Sequence, residues 1–122
     1  MFNFEKLDVW KKAISFADSV YSITHRFPSD ERFGLTNQMR RAAVSLSSNI
    51  AEGSSRNSRV EFARFIEIAS GSIYELVSQA FVSKAQGFLQ EKDFQALYAA
   101  CEQLSKMLSG LRTYLLANRS PQ

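Results

Sequence analysis

The sequence predicts an all-α protein folded as an antiparallel up-down-up-down four-helix bundle. Three observations lead there. Apolar residues recur at helical spacing along most of the chain, only three short polar joints interrupt them, and two prolines and five glycines are too few for a turn-rich all-β chain. The first helix carries Val9, Ala13, Phe16, Val20, Ile23 and Phe27 on one face, widened by Trp10, Ala17 and Tyr21, and Pro28 stops it. The second presents Leu35, Met39, Ala42, Leu46 and Ile50 and is expected to end at Gly53, a residue free to take positive φ. Ser54 to Asn57 is a polar joint, after which Ser58 and Glu61 form a capping box opening the third helix. That helix shows Phe62, Phe65, Ile66, Ala69, Ile73, Leu76 and Ala80 and should end near Gly87. The fourth is the most regular: Phe94, Leu97, Cys101, Leu104, Leu108, Leu111 and Leu115 step by 3, 4, 3, 4, 3, 4. Glu91 and Asp93 in its first turn, with Arg112 and Arg119 near its end, follow the helix dipole.

At 122 residues the chain has room for one core, so a single domain spanning 1–122 is expected. A hydrophobic fraction of 45%, with fifteen aromatic residues, suffices to fill that core. The single cysteine cannot form an internal disulfide, which favours a reducing compartment. No apolar run approaches the ~20 residues of a membrane span, and Met1 to Lys6 lacks the pattern of a secretion signal. The expectation is a soluble, cytoplasmic protein with no membrane partner. Asn118 to Gln122 is expected to fray.

The common catalytic constellations are missing. A carboxylate-bridged di-metal bundle needs Glu-x-x-His steps on two helices, and His25 is the only histidine. Near the end of the first helix it reads as a solvated last-turn residue. Cys101 lies on the leucine seam and reads as a buried, inert thiol. Neither a zinc site nor a nucleophile–base pair can be assembled, and no glycine-rich loop follows a strand. The expectation is no catalytic residue, no metal, no cofactor and no enzyme activity.

Between Gln38 and Glu75 the sequence carries features a plain bundle does not need. Residues 36–64 hold Arg40, Arg41, Arg56, Arg59 and Arg64 against Glu52 and Glu61, a net +3 equal to the whole chain's excess. Arginine's fork suits phosphate or carboxylate, so these residues read either as a phosphate-contacting patch or as a solvated face with salt bridges. Ala43, Ser47 and Ala51 repeat every four residues on the second helix, and Gly71 and Ser72 sit mid-helix in the third. Glycine there costs ~1 kcal/mol relative to alanine. Close approach of another helix would offset that cost, within the bundle or from a second subunit. Asn49 borders the core stripe and needs a hydrogen-bond partner. With Glu52, Glu67 and Glu75 it is expected to form a structural polar network, in which Arg40 or Arg41 reaches Glu67 or Glu75 across the helix pair.

The run Leu35-x-x-Gln38-x-Arg40-Arg41-Ala42-Ala43-x-Ser45-Leu46-x-x-Asn49-Ile50-Ala51-Glu52-Gly53 resembles the signature of a bacterial four-helix-bundle family encoded in intervening sequences of large-subunit ribosomal RNA genes. Some of its members carry a ribosomal-protein label. Glu61-Phe62-x-x-Phe65-Ile66-x-Ile68-Ala69-x-Gly71-Ser72-x-x-Glu75 is similar to the family's second block, and Leu7-x-Val9-Trp10 and Phe27-Pro28-x-x-Glu31 also fit. Leu46 stands where isoleucine is common there, a conservative departure. The resemblance implies an antiparallel bundle and, for members known to assemble, a homopentameric ring. The accessory protein of diversity-generating retroelements is similar in fold and works as a basic pentamer beside a reverse transcriptase and nucleic acid. The resemblance brings neither a catalytic activity nor membership of the ribosome.

The expected function is therefore that of a non-enzymatic homo-oligomer whose arginines contact RNA or DNA phosphates without reading bases. Its partners would be further copies of itself, RNA or DNA, and a nucleic-acid-processing protein. The alternative is a protein-interaction scaffold whose arginines are consumed by salt bridges. Exposed arginines without carboxylates separate the first reading from the second. Glutamate at positions 56 and 59 should abolish RNA binding and leave assembly intact if Arg56 and Arg59 are phosphate contacts.

Overall fold

The structure, a computed structural model, describes residues 1–117. Arg119 and the expected frayed end at 118–122 lie outside the described residues. Four helices make up the fold: α1 (Asp8–Thr24), α2 (Leu35–Gly53), α3 (Arg59–Ala85) and α4 (Glu91–Ala117). Short 3-10 turns occupy Asn3–Lys6 and Ser29–Glu31, and no strand occurs among the described residues. Each helix packs on its sequence neighbours, α2 against α3 and α3 against α4 most extensively, and α1 closes the ring against α4 more loosely. This is the up-down-up-down bundle that short joints enforce.

The core is built from the predicted stripes. Val9, Ala13, Phe16 and Val20 of α1 meet Met39, Ala42, Leu46 and Ile50 of α2, Ile66, Ala69, Ile73 and Leu76 of α3, and the α4 seam from Phe94 to Leu108. Leu115 is buried too, while Leu111, Ile23, Leu35 and Phe62 are half-buried at the edges. The 3-10 turn before α1 lays Phe4 edge-on against Trp10, with centroids 4.8 Å apart.

The helix ends differ from expectation in three places. α1 stops at Thr24, three residues before the predicted limit, because the Arg26 and Phe27 amides bond to carbonyls three residues back and turn the chain towards Pro28. Gly53 keeps a helical backbone. Its role is steric, since a Cβ there would lie 2.7 Å from Phe65 Cβ and 2.9 Å from Phe62 Cδ1. Ser58 caps α3 by accepting the Glu61 amide at 3.0 Å, but the Glu61 carboxylate makes no return bond, so only half of the capping box forms. Gly87 is the left-handed terminator, at φ 80°. Its amide bonds to Lys84 O and the Phe88 amide to Ser83 O, closing α3 in a Schellman turn. At the start of α4 the Glu91 carboxyl is held below its usual range, first by the Gln95 amide and then by the Lys84 ammonium, which bridges α3 to α4 at 2.7 Å.

Candidate nucleic-acid interface

The five arginines singled out in the sequence divide between the two ends of α2. Arg40 and Arg41 lie near its start and Arg56, Arg59 and Arg64 beyond its end, roughly 20 Å away at 1.5 Å rise per residue. They also differ in what holds them. Arg40 is half-buried: its Nε donates to Thr24 Oγ1 at 2.9 Å, one Nη to the Tyr21 carbonyl at 3.3 Å, and its guanidinium lies 4.5 Å from the Tyr21 ring centroid. Arg56 pairs with Glu52 one turn back at 2.7 Å and stacks over Phe65. Arg59 reaches across to α4, donating to the Leu115 carbonyl at 3.1 Å and the Tyr114 carbonyl at 3.0 Å while lying over the Tyr114 ring. Arg41 and Arg64 are exposed and have no carboxylate within salt-bridge distance among the described residues. Among the described residues only one of the five, Arg56, is therefore paired with an acid.

The expected polar network takes a different course. Glu67 pairs with Arg112 of α4 at 2.7 Å rather than with Arg40 or Arg41: Arg40 turns to Thr24 and Tyr21 of α1, and Arg41 makes no ion pair among the described residues. Glu52 is used by Arg56, and Glu75 is exposed without an ion pair among the described residues. Asn49 Nδ2 donates to the Ser45 carbonyl at 2.9 Å and lies 3.1 Å from Ser45 Oγ, which in turn receives Ser72 Oγ at 3.2 Å. Asn49 thus belongs to a neutral relay joining α2 to α3. The small residues also separate. Ala43, Ser47 and Ser72 are buried within the bundle and Ala51 is half-buried. Gly71 faces open space, with nothing within 4 Å of where a Cβ would be. Close packing inside one chain therefore does not account for that glycine.

At the start of α2 the chain forms a groove that the sequence did not reveal. Arg40 and Arg41 meet Tyr21 from the end of α1 and Arg32, Phe33 and Asn37 from the connection and first turn of α2, around an open cavity of about 610 Å³. No acidic side chain lines it. Glu31 stands next in sequence, but its carboxylate is turned to the Leu35 amide, which it accepts at 3.0 Å. Arg32 lies 5.7 Å from the Phe33 ring centroid and has no ion pair among the described residues. Phe33 is 85% exposed. The signal for Arg32 was present as one more arginine eight residues before Arg40, but nothing in a periodicity shows that a connecting loop folds back beside α1.

No group of three or more His, Cys, Asp or Glu side chains is placed to hold a metal among the described residues. His25 is exposed just past the end of α1. Burial pushes the Cys101 thiol up to about 12, so it is protonated at neutral pH. No described helix is long and apolar enough to cross a membrane.

A small all-helical bundle bearing an arginine-lined groove is the class of protein this geometry defines. The chain belongs to the 23S rRNA-intervening sequence protein family, whose profile matches residues 5–110. Among solved structures it is similar to a protein of unknown function from the S23 ribosomal protein family of Bacteroides thetaiotaomicron. The TM-score is 0.76 at 19% identity, covering 85% of this chain and 97% of that one, a likeness of fold. No curated protein matches the chain in sequence.

Proposed function

We propose that this protein is a non-enzymatic, homo-oligomeric nucleic-acid-associated protein that contacts RNA or DNA phosphates through its arginines without sequence-specific readout. The observation that carries the reading is the groove at the start of α2, where three arginines converge with no lining carboxylate. Such a surface attracts polyanions and is not neutralised from within. Arg64 adds a further exposed cation at the other end of the bundle. Neither end carries the recognition helix or aromatic sheet that reads base edges. A pentameric ring would present five copies of the groove, so weak single contacts would combine through effective concentration. A nucleic-acid-processing enzyme is the natural protein partner of such a ring.

The test is fluorescence anisotropy with a structured RNA and a DNA duplex, titrated across salt, on protein freed of co-purified nucleic acid. The expected result is affinity that falls steeply with salt, the slope counting the phosphates contacted. Glutamate at positions 32 and 41 should abolish binding while leaving fold and assembly unchanged, because neither side chain is engaged elsewhere. Arg56 and Arg59 are poorer probes, since one holds Glu52 and the other bonds to α4. Absence of binding at low salt would overturn the reading.

A second reading, a protein-interaction scaffold, is favoured by one observation. Ile68, Tyr74, Phe81 and Val82 of α3 are about half exposed or more, with Tyr98 of α4 beside them. Apolar residues spread round a helix in this way suit burial on both sides. This face, with Gly71 at its middle, is where we place the contact between subunits, so the two readings divide the surface rather than compete for it.

A further inference from the structure

We propose that the groove between the end of α1 and the start of α2 seats unpaired nucleotides, with the Phe33 ring as a stacking platform and Arg32, Arg40 and Arg41 as phosphate contacts. This rests on the nucleic-acid reading above and narrows it to single strands and to one end of the bundle.

Phe33 is the starting observation. A phenylalanine left 85% exposed forgoes the stabilisation that burying it would contribute. Nothing in the fold holds it there for packing: it follows the Ser29–Glu31 turn, and its cation–π neighbour is the exposed Arg32. A bare aromatic face among unpaired arginines is the combination that single-strand sites use. Bases stack on the ring while the cations follow the backbone. In a duplex the base faces are covered by their neighbours, so a ring on the surface has nothing to stack on. Phosphate attraction alone would not distinguish the two forms; the aromatic does.

The rest of the groove is prepared for this ligand. Thr24 and the Tyr21 carbonyl and ring fix the Arg40 guanidinium, and Nη1 has no partner among the described residues. A pre-positioned fork loses little side-chain entropy when phosphate arrives. Arg41, one residue on, is free to follow the next phosphate. Asn37, exposed on the same rim, offers an amide to a base edge or sugar. The open volume of about 610 Å³ falls within the ~300–1,000 Å³ of sites that hold small organic ligands.

The experiment uses the full chain with labelled oligouridylate of about 12 nucleotides and a duplex of equal length at low salt. Single-strand affinity should exceed duplex affinity. Phe33→Ala should weaken single-strand binding by about fivefold to 150-fold, the range of one lost stacking contact, and leave duplex binding unchanged. Phe33→Trp should retain affinity, and its emission should be quenched on binding, while the Trp10 emission of the wild-type protein is not. Arg41→Glu should weaken both ligands. If Arg41→Glu weakens binding but Phe33→Ala affects neither ligand or both equally, the stacking site is wrong and phosphate attraction alone remains. Failure of the wild-type protein to bind either ligand overturns the nucleic-acid reading itself. A smaller particle mass for Phe33→Ala in sedimentation would make the ring a contact between copies and also overturn the site.

Discussion

Gly53 sits in the last turn of α2 with ordinary helical dihedrals, so alanine there is favoured by helix propensity and opposed by sterics. The added Cβ would come within 3 Å of both Phe62 and Phe65, at the foot of α3, where backbone and ring have little freedom to retreat. Gly53→Ala is expected to destabilise the protein by about 1–3 kcal/mol, the cost of overpacking, read as a lower urea midpoint at unchanged slope. Cys101 makes a second prediction. Its folded value of about 12 stands above the ordinary 9.0 because burial disfavours the thiolate. Folding therefore retains a proton that the unfolded chain releases. The resulting stability is complete below about pH 9 and is lost progressively as pH rises towards 12. Wild-type stability should fall across that window more steeply than that of Cys101→Val, and a thiol reagent at pH 8 should label the native protein far more slowly than the denatured one. The sequence already placed Cys101 on the seam. It placed Gly53 at a helix end but assigned the wrong reason, because propensity describes a backbone and the clash belongs to a partner helix.

The helices were legible as elements because a 3.6-residue period repeats locally, and each buried stripe could be counted directly. What a side chain does at the far end of its reach was not. Arg59 looks like Arg41 in sequence, yet it ties the start of α3 to α4 by donating to the Leu115 and Tyr114 carbonyls. Arg59→Ala should cost about 1–3 kcal/mol, the worth of hydrogen bonds from a charged donor, and fray the last turn of α4 in amide hydrogen exchange. Arg41→Ala should leave stability within ~0.5 kcal/mol, as expected of an exposed residue without partners. The contrast separates an arginine that holds the fold from one available to a ligand. Likewise the α2–α3 pair is registered by the neutral Asn49–Ser45–Ser72 relay. Both helices bring small residues there, so short side chains can meet directly and no long ion pair is needed.

At the scale of the molecule, one face of α3 is left uncovered. Gly71 lies mid-helix with no neighbour, where alanine would be preferred by ~1 kcal/mol if water were all it met. If the proposed contact between copies lies on this face, Gly71→Ala is expected to keep full helicity and to lower the particle mass in sedimentation equilibrium. A raised melting temperature with an unchanged particle mass would instead put the glycine in solvent.

The class of fold, the four helices, the stripes that build the core and the family were all legible along the chain, because each is written in residues close together in sequence. Which arginines are free depended on the packing of the helices. That packing returned Arg56 and Arg59 to the scaffold and turned Arg40 towards α1 rather than across to Glu67 or Glu75. It also brought Arg32, Phe33 and Tyr21 beside Arg40 and Arg41. A charge in sequence is only a charge; its availability depends on the carbonyls, rings and carboxylates that the fold brings within about 4 Å of it.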